Sequence, residues 1–205
     1  TNLTQRHICK GHYSLPGNTH RYRDWLSSGH GSVNLHKAIS QSCDVFFYEV
    51  GGRIGIDRMH DYLDQFGLGQ KTNIELAGER TGLIPSTKWK KAMFSKKEDK
   101  NWFPGETVIA SIGQGYMLAT PLQLANATAA LATRGNRFKP TLISAIENPI
   151  NNEKIFNESQ ELTQIKIDSQ SYWEEVISAM HNVMQGSGTA KNVGLGAPYK
   201  MAGKS

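Results

Sequence analysis

Four blocks of helical periodicity, each closed by glycine, set the frame for what this chain can become. Ala38, Ile39, Ser42, Cys43, Phe46, Phe47 and Val50 fall on one helical face within residues 33–50, and Gly51-Gly52 follows. Ile56, Met59, Leu63 and Phe66 mark a second, shorter helix that opens near Asp57 and stops at Gly67. In a third block Thr120 suits the N-cap, Pro121 the first helical position and Gly135 the C′ position. Its Leu124, Ala125, Thr128, Ala129 and Ala132 form a small-residue face. Trp173, Val176, Ile177, Met180, Val183 and Met184 give an amphipathic fourth helix, stopped by Gly186-Ser187-Gly188. Between the helices, residues 1–31 and 68–106 read as irregular, with turns and a few short extended pieces. Residues 138–146 and 199–202 read as strands, and 147–170 as a polar surface excursion. No internal repeat or linker divides the chain, so one domain is expected.

Composition permits a real core. Hydrophobic residues are 38% of the 205, beside 20 glycines, and a chain of this length buries roughly 70% of its unfolded surface. No run approaches the roughly 18 apolar residues of a membrane span. Two cysteines exclude a disulfide-dense mini-fold. The chain opens on Thr1-Asn2-Leu3-Thr4-Gln5, without an initiator Met or a signal-peptide pattern, and ends on Gly203-Lys204-Ser205. An internal piece of a longer protein is the expectation. The net charge of +5 is concentrated in Lys88, Lys90, Lys91, Lys96, Lys97 and Lys100, interleaved with Trp89, Phe94, Trp102 and Phe103. Such a segment is either a patch for an anionic polymer or a solvated loop with anchoring aromatics. Glu98 and Asp99 interrupt it and no nucleic-acid motif accompanies it, which favours the loop.

Gly203-Lys204-Ser205 invites a phosphate-loop reading, but that motif needs a glycine at position 198, which is Pro198. A second reading fits better. Penicillin-recognising enzymes carry Ser-x-x-Lys, then Ser-x-Asn, then Lys-Thr-Gly. Ser42-Cys43-Asp44 matches the second element with Asp for Asn, and Lys204-Ser205 opens a Lys-Ser-Gly variant of the third. The segments between agree. Arg21-Tyr22-Arg23-Asp24-Trp25, Gly29-His30-Gly31 and residues 40–48 resemble class B penicillin-binding transpeptidases, in the branch that serves Gram-negative cell elongation. So do Gly113-Gln114-Gly115, residues 119–123 and the Ala197-Pro198-Tyr199-Lys200 approach to Lys204. The likeness covers roughly residues 6–205 and is thinnest over 147–170.

The resemblance implies an α+β, penicillin-recognising transpeptidase fold, an antiparallel sheet between helical layers, incomplete in this chain. It implies part of a peptidoglycan D,D-transpeptidase, in which a serine attacks the D-Ala-D-Ala bond of a stem peptide, D-Ala leaves, and a neighbouring amine takes the acyl group. β-Lactams trap the same serine. No serine here has a lysine three residues on. The nucleophile is therefore expected upstream of Thr1, and this piece alone is expected to be inactive. Within it, Ser42 would hydrogen-bond and relay a proton. Asp44 would accept hydrogen bonds and pair with a cation. Lys204 would supply positive potential, and Ser205 would bind the substrate carboxylate. Further implied are an inner-membrane anchor outside the chain, a periplasmic domain, and partners among SEDS-type glycan polymerases and elongation-complex proteins. No cofactor is implied for catalysis, and no nucleic acid.

Cys9, Asp24, His30 and Cys43 suit tetrahedral zinc as a ligand set, although their spacing is irregular. By the resemblance, Cys9 falls where relatives carry an acidic residue, an exchange that preserves little except a metal ligand. Two other readings stand: a Cys9–Cys43 disulfide in an oxidising compartment, or two unlinked buried thiols. A structural zinc would pin residues 9–31 against the second motif and leave no open position for water. His12 and His20 are possible substitute ligands. The enzyme reading competes with a non-catalytic scaffold or sensor of the same fold, and with an anionic-polymer binder built on the lysine segment.

Overall fold

The computed structural model describes residues 3–205. In chain order the elements are β1 (His7–Cys9), β2 (His12–Tyr13), β3 (Tyr22–Arg23), β4 (Gly31–Val33), α1 (Leu35–Ser40), α2 (Asp44–Ile54), α3 (Ile56–Asp64), α4 (Thr87–Met93), α5 (Pro104–Ala110), α6 (Pro121–Ala132), β5 (Arg137–Phe138), β6 (Ala145–Glu147), β7 (Lys154–Phe156), β8 (Glu161–Leu162), α7 (Ser171–Val183) and α8 (Lys191–Gly194). The class is α+β. The strands pair antiparallel in four two-stranded sheets, β1–β4, β2–β3, β5–β8 and β6–β7. No helix among the described residues is long and apolar enough to cross a membrane. The chain packs as two compact units. One holds the described residues up to Met59, Pro85–Tyr116 and Ile167–Ser205; the other holds His60–Ile84 and Met117–Lys166.

The first unit is built on α2. The expected single helix over 33–50 is two helices, because Ser42 breaks it at a left-handed φ of 52°. α2 then runs past Gly51-Gly52 to Gly55, whose φ of 78° ends it. Gly51 has a different use: a Cβ there would lie 2.3 Å from the Ser111 Cβ, so its absence lets α2 and the end of α5 touch. Val45, Phe46 and Tyr48 turn inward onto Cys9, Val33, Ala38, Cys43 and Val108. α7 packs on α1 through Ile39, Ala179 and Val183, with Leu35, Val176 and Met180 around them. The expected strand over 199–202 does not form.

The lysine segment is more ordered than its composition suggests. α4 is capped by Ser86, whose hydroxyl accepts the Trp89 amide. Lys90 is only 3% exposed. Its ammonium pairs with Glu106 and lies 5.0–5.9 Å from the ring centres of Phe94, Trp102, Phe103 and Tyr116. An ion pair plus an aromatic cage offsets the desolvation that normally keeps lysine outside. The central lysine of the run is thus a packing residue, leaving a thinner basic surface than six lysines imply.

In the second unit α6 follows its sequence signals. Thr120 and Gln123 form a reciprocal capping box with Pro121 at the first position. The helix ends through Thr133 and Arg134, the latter at φ 56°, one residue before the expected glycine. Gln123 is 1% exposed and does more than cap. Its amide nitrogen donates to the carbonyls of Gln70 (2.5 Å) and Thr81 (2.7 Å), while its oxygen accepts the Thr120 amide (2.9 Å). One side chain thereby ties α6 to two loop segments. The expected strand over 138–146 is split around Pro140 into β5 and β6. The 147–170 stretch is largely exposed, with Ile165 its buried anchor.

Two stability outcomes follow, each read by denaturant melts of the full-length protein. Gln123→Leu strands two carbonyls and an amide in the interior and lowers stability by about 2–4 kcal/mol. Ser42→Gly relieves a left-handed side chain and raises stability by about 1 kcal/mol, despite removing a hydroxyl.

Candidate functional site

The break between α1 and α2 makes the site. α1 is capped by Asn34 at its start. At its end the chain leaves the helix through Gln41, and Cys43 returns its amide to Ala38 O at 2.9 Å. Ser42, at the corner, is held in a conformation that a non-glycine residue tolerates only under constraint. Its Oγ accepts the Lys204 ammonium at 2.5 Å and lies 3.2 Å from Ser205 Oγ and 3.4 Å from Thr189 Oγ1. The Lys204 ammonium also donates to the Ser205 carbonyl.

These residues line one cleft of about 660 Å³, with Trp25, Asp44, Phe47 and Gln114 as further walls. Asp44 starts α2, and its Oδ2 accepts the Trp25 amide at 3.1 Å. Burial holds the Asp44 carboxyl above the usual carboxylate range, against the lowering effect of that amide. Burial likewise lowers the Lys204 ammonium, with Asp44 pulling it the other way. The two attract across the cleft, yet the hydrogen bond of Lys204 goes to Ser42. Two groups of opposite sign, each pushed toward neutrality in an open cleft, are suited to proton movement and to binding a charged ligand.

Behind this cleft lies a second constellation. Cys9, Asp24, His30 and Cys43 are all buried, and their ligand atoms lie within 4.8 Å of one another. Asp24 Oδ2 is 3.4 Å from the Cys9 sulfur and 3.5 Å from the Cys43 sulfur. His30 Nδ1 is 3.4 Å from Asp24 Oδ1 and 3.6 Å from the Cys9 sulfur. Ligand bonds of about 2.0–2.3 Å make tetrahedron edges of about 3.3–3.8 Å, so these spacings suit zinc without rearrangement. Both cysteines are free. Burial pushes the Cys43 thiol far up, with Cys9 and Asp24 adding to it; a cation is what would stabilise its thiolate.

The eight residues singled out from sequence thus fall into two adjoining clusters, Ser42, Asp44, Lys204 and Ser205 in the cleft and Cys9, Asp24, His30 and Cys43 behind it. His12 and His20 lie outside the second cluster. Three features escaped the sequence reading. Trp25 is 59% exposed on the cleft wall, yet fixed by its indole N–H to Gln41 O (3.0 Å) and by its ring against His30. Thr189 reaches the cleft from the loop after α7; a threonine behind a helix-stopping Gly-Ser-Gly carries no signal. His7 is buried and paired with Glu49, its Nε2 without a hydrogen-bond partner.

The pattern of the penicillin-binding protein transpeptidase domain matches residues 3–205. The chain is 41% identical to the peptidoglycan D,D-transpeptidase MrdA of Acinetobacter baumannii, over 95% of this chain and 28% of that protein. Among solved structures it resembles Pseudomonas aeruginosa PBP2 in complex with WCK 5153 (TM-score 0.86, 39% identity, 99% of this chain and 44% of that one). It also resembles Helicobacter pylori PBP2 in its complex with MreC (TM-score 0.82, 30% identity, 98% and 35%). The chain therefore spans under a third of the length of that curated relative. On the agreement of sequence, fold and motif order, it belongs to the penicillin-binding protein transpeptidase domain family.

Proposed function

We propose that this chain is the motif-bearing part of a peptidoglycan D,D-transpeptidase that cross-links stem peptides through a serine acyl-enzyme and is acylated by β-lactams. The observation that carries the reading is the meeting of Ser42 and Lys204, 162 residues apart in sequence, within 2.5 Å in a cleft. In this reading the nucleophilic serine and its lysine come from the rest of the protein. Ser42 passes a proton between that lysine and the leaving or attacking amine. Lys204 and Ser205 hold the ligand carboxylate. Asp44 fixes the Trp25 backbone and balances the charge of Lys204. The protein works outside the cytoplasm, anchored by a segment beyond this chain, beside a SEDS-type polymerase and elongation proteins of the MreC kind; the Helicobacter pylori complex supports the last of these.

The second cluster is proposed as a structural zinc site. Cys9, Asp24, His30 and Cys43 would hold the ion, a donor set that suits borderline-soft zinc. Bound there, it would supply cross-linking energy and no open coordination position. What the residues themselves do is local: Cys43 lies between Ser42 and Asp44, so holding its sulfur holds both neighbours.

Two experiments test these readings. Full-length protein exposed to fluorescent penicillin labels at a serine upstream of Thr1, and Lys204→Ala slows labelling by roughly 10²–10³-fold. An unlabelled, folded wild type would refute the transpeptidase and leave the scaffold. For the metal, protein purified without chelator carries one zinc per chain, and Asp24→Asn or Cys43→Ser loses it. Stripping the ion lowers the melting temperature by roughly 5 °C or more. Metal-free wild type, with two free thiols or a disulfide, would sink the zinc proposal.

A further inference from the structure

Thr189 has no assigned part in this site, and the loop that carries it is built to deliver its hydroxyl. After α7 the chain folds back so tightly that a Cβ on Gly188 would lie 2.1 Å from Asn182 O and 2.3 Å from Val183 O. Only glycine fits. The loop is then tied to the corner between α1 and α2 at two points. The Thr189 amide donates to Ser40 O at 3.2 Å, and Gln41 Nε2 donates to Ser187 Oγ at 3.3 Å. Thr189 Oγ1 ends 2.5 Å from Ser205 Oγ and 3.4 Å from Ser42 Oγ. Its side chain is exposed to the cleft, so the fold does not need it for packing.

Proton counting gives this cluster a direction. An ammonium only donates, and each hydroxyl owns one proton. Lys204 donates to Ser42, which leaves the Ser42 proton for Thr189 or Ser205. Ser205 can donate into the cleft only if its short contact with Thr189 is one in which Ser205 accepts. Thr189 must then be the donor, and its lone pair is free for the Ser42 proton. We propose that Thr189 is a positioning residue for carboxylate recognition: it donates to Ser205 Oγ and so turns the Ser205 proton toward the carboxylate of the bound ligand. The chain of donors runs from Lys204 through Ser42 and Thr189 to Ser205, and ends on the ligand. This rests on the transpeptidase reading above and adds to it the residue that orients the anion-binding hydroxyl. Ser42 and Ser205, 3.2 Å apart, also touch directly, so loss of Thr189 weakens the orientation without abolishing it.

The test compares full-length wild type, Thr189→Val and Thr189→Ser for the rate of acylation by a penicillin and by its methyl ester, which lacks the carboxylate charge. Thr189→Val should slow acylation by the acid roughly tenfold, the size of one hydrogen bond to a charge-binding group. It should leave the rate with the ester unchanged, and Thr189→Ser should restore the acid rate. Should the valine variant not fold, Thr189→Ala gives the same comparison. A labelled wild type with equal losses on acid and ester, or no loss on either, overturns the role of Thr189 alone. A wild type acylated by neither ligand overturns the transpeptidase reading and this inference with it.

Discussion

The buried carboxylate of Asp24 is the point from which the site is built. It is 5% exposed and sits among a histidine and two thiols. One oxygen accepts the Leu26 amide at 3.0 Å, and the other accepts the Val45 amide at 3.2 Å and faces both cysteine sulfurs. An anion in the interior is tolerable only when so fully satisfied. In satisfying itself it joins β1, the loop before β4 and the first turn of α2. That join sets where α2 begins, and therefore where Ser42 and Asp44 stand. The neighbouring Trp25 extends it to the cleft wall.

How much of this was legible in the residues depends on whether the deciding force was local. α6 was readable because its ends are written in capping chemistry, Thr120, Pro121 and Gln123. α7 was readable because one face is apolar at the helical period. The break at Ser42 was not: the apolar spacing runs straight across it, and the residue in the left-handed conformation is a serine, with no glycine to mark it. Two-residue strands such as β2 and β3 are too short to show alternation. Lys90 was hidden by composition, since a lysine among lysines reads as solvated until Glu106 and four rings close around it. Both candidate clusters were legible through family likeness and residue type, but not the distances that make them sites. Thr189 shows the limit: its position comes from a glycine-permitted close approach that no spacing rule encodes.

The two clusters divide the work between rigidity and adaptability. The inner one is buried and has paired nearly every polar atom; among its members His30 Nε2 lacks a hydrogen-bond partner. The outer one is open, its hydroxyls share protons that can be redistributed, and its two charged groups are held away from their ordinary ionisation. A frame that cannot shift, carrying hydroxyls that can rotate, suits a site whose charge must change during a reaction cycle.

The contact between Ser42 and Lys204 has a consequence for the order in which the protein assembles. It closes a loop of 162 residues, one of the most remote pairings the chain can make, and such closures form late because their entropic cost falls due before any neighbouring contact helps. α1, α2 and α7 can find one another first and prepare one wall of the cleft. The opposite wall arrives only when residue 204 docks. A growing or partly folded chain therefore has no anion-binding pocket, and the ability to engage an acyl donor switches on as one of the last events of folding.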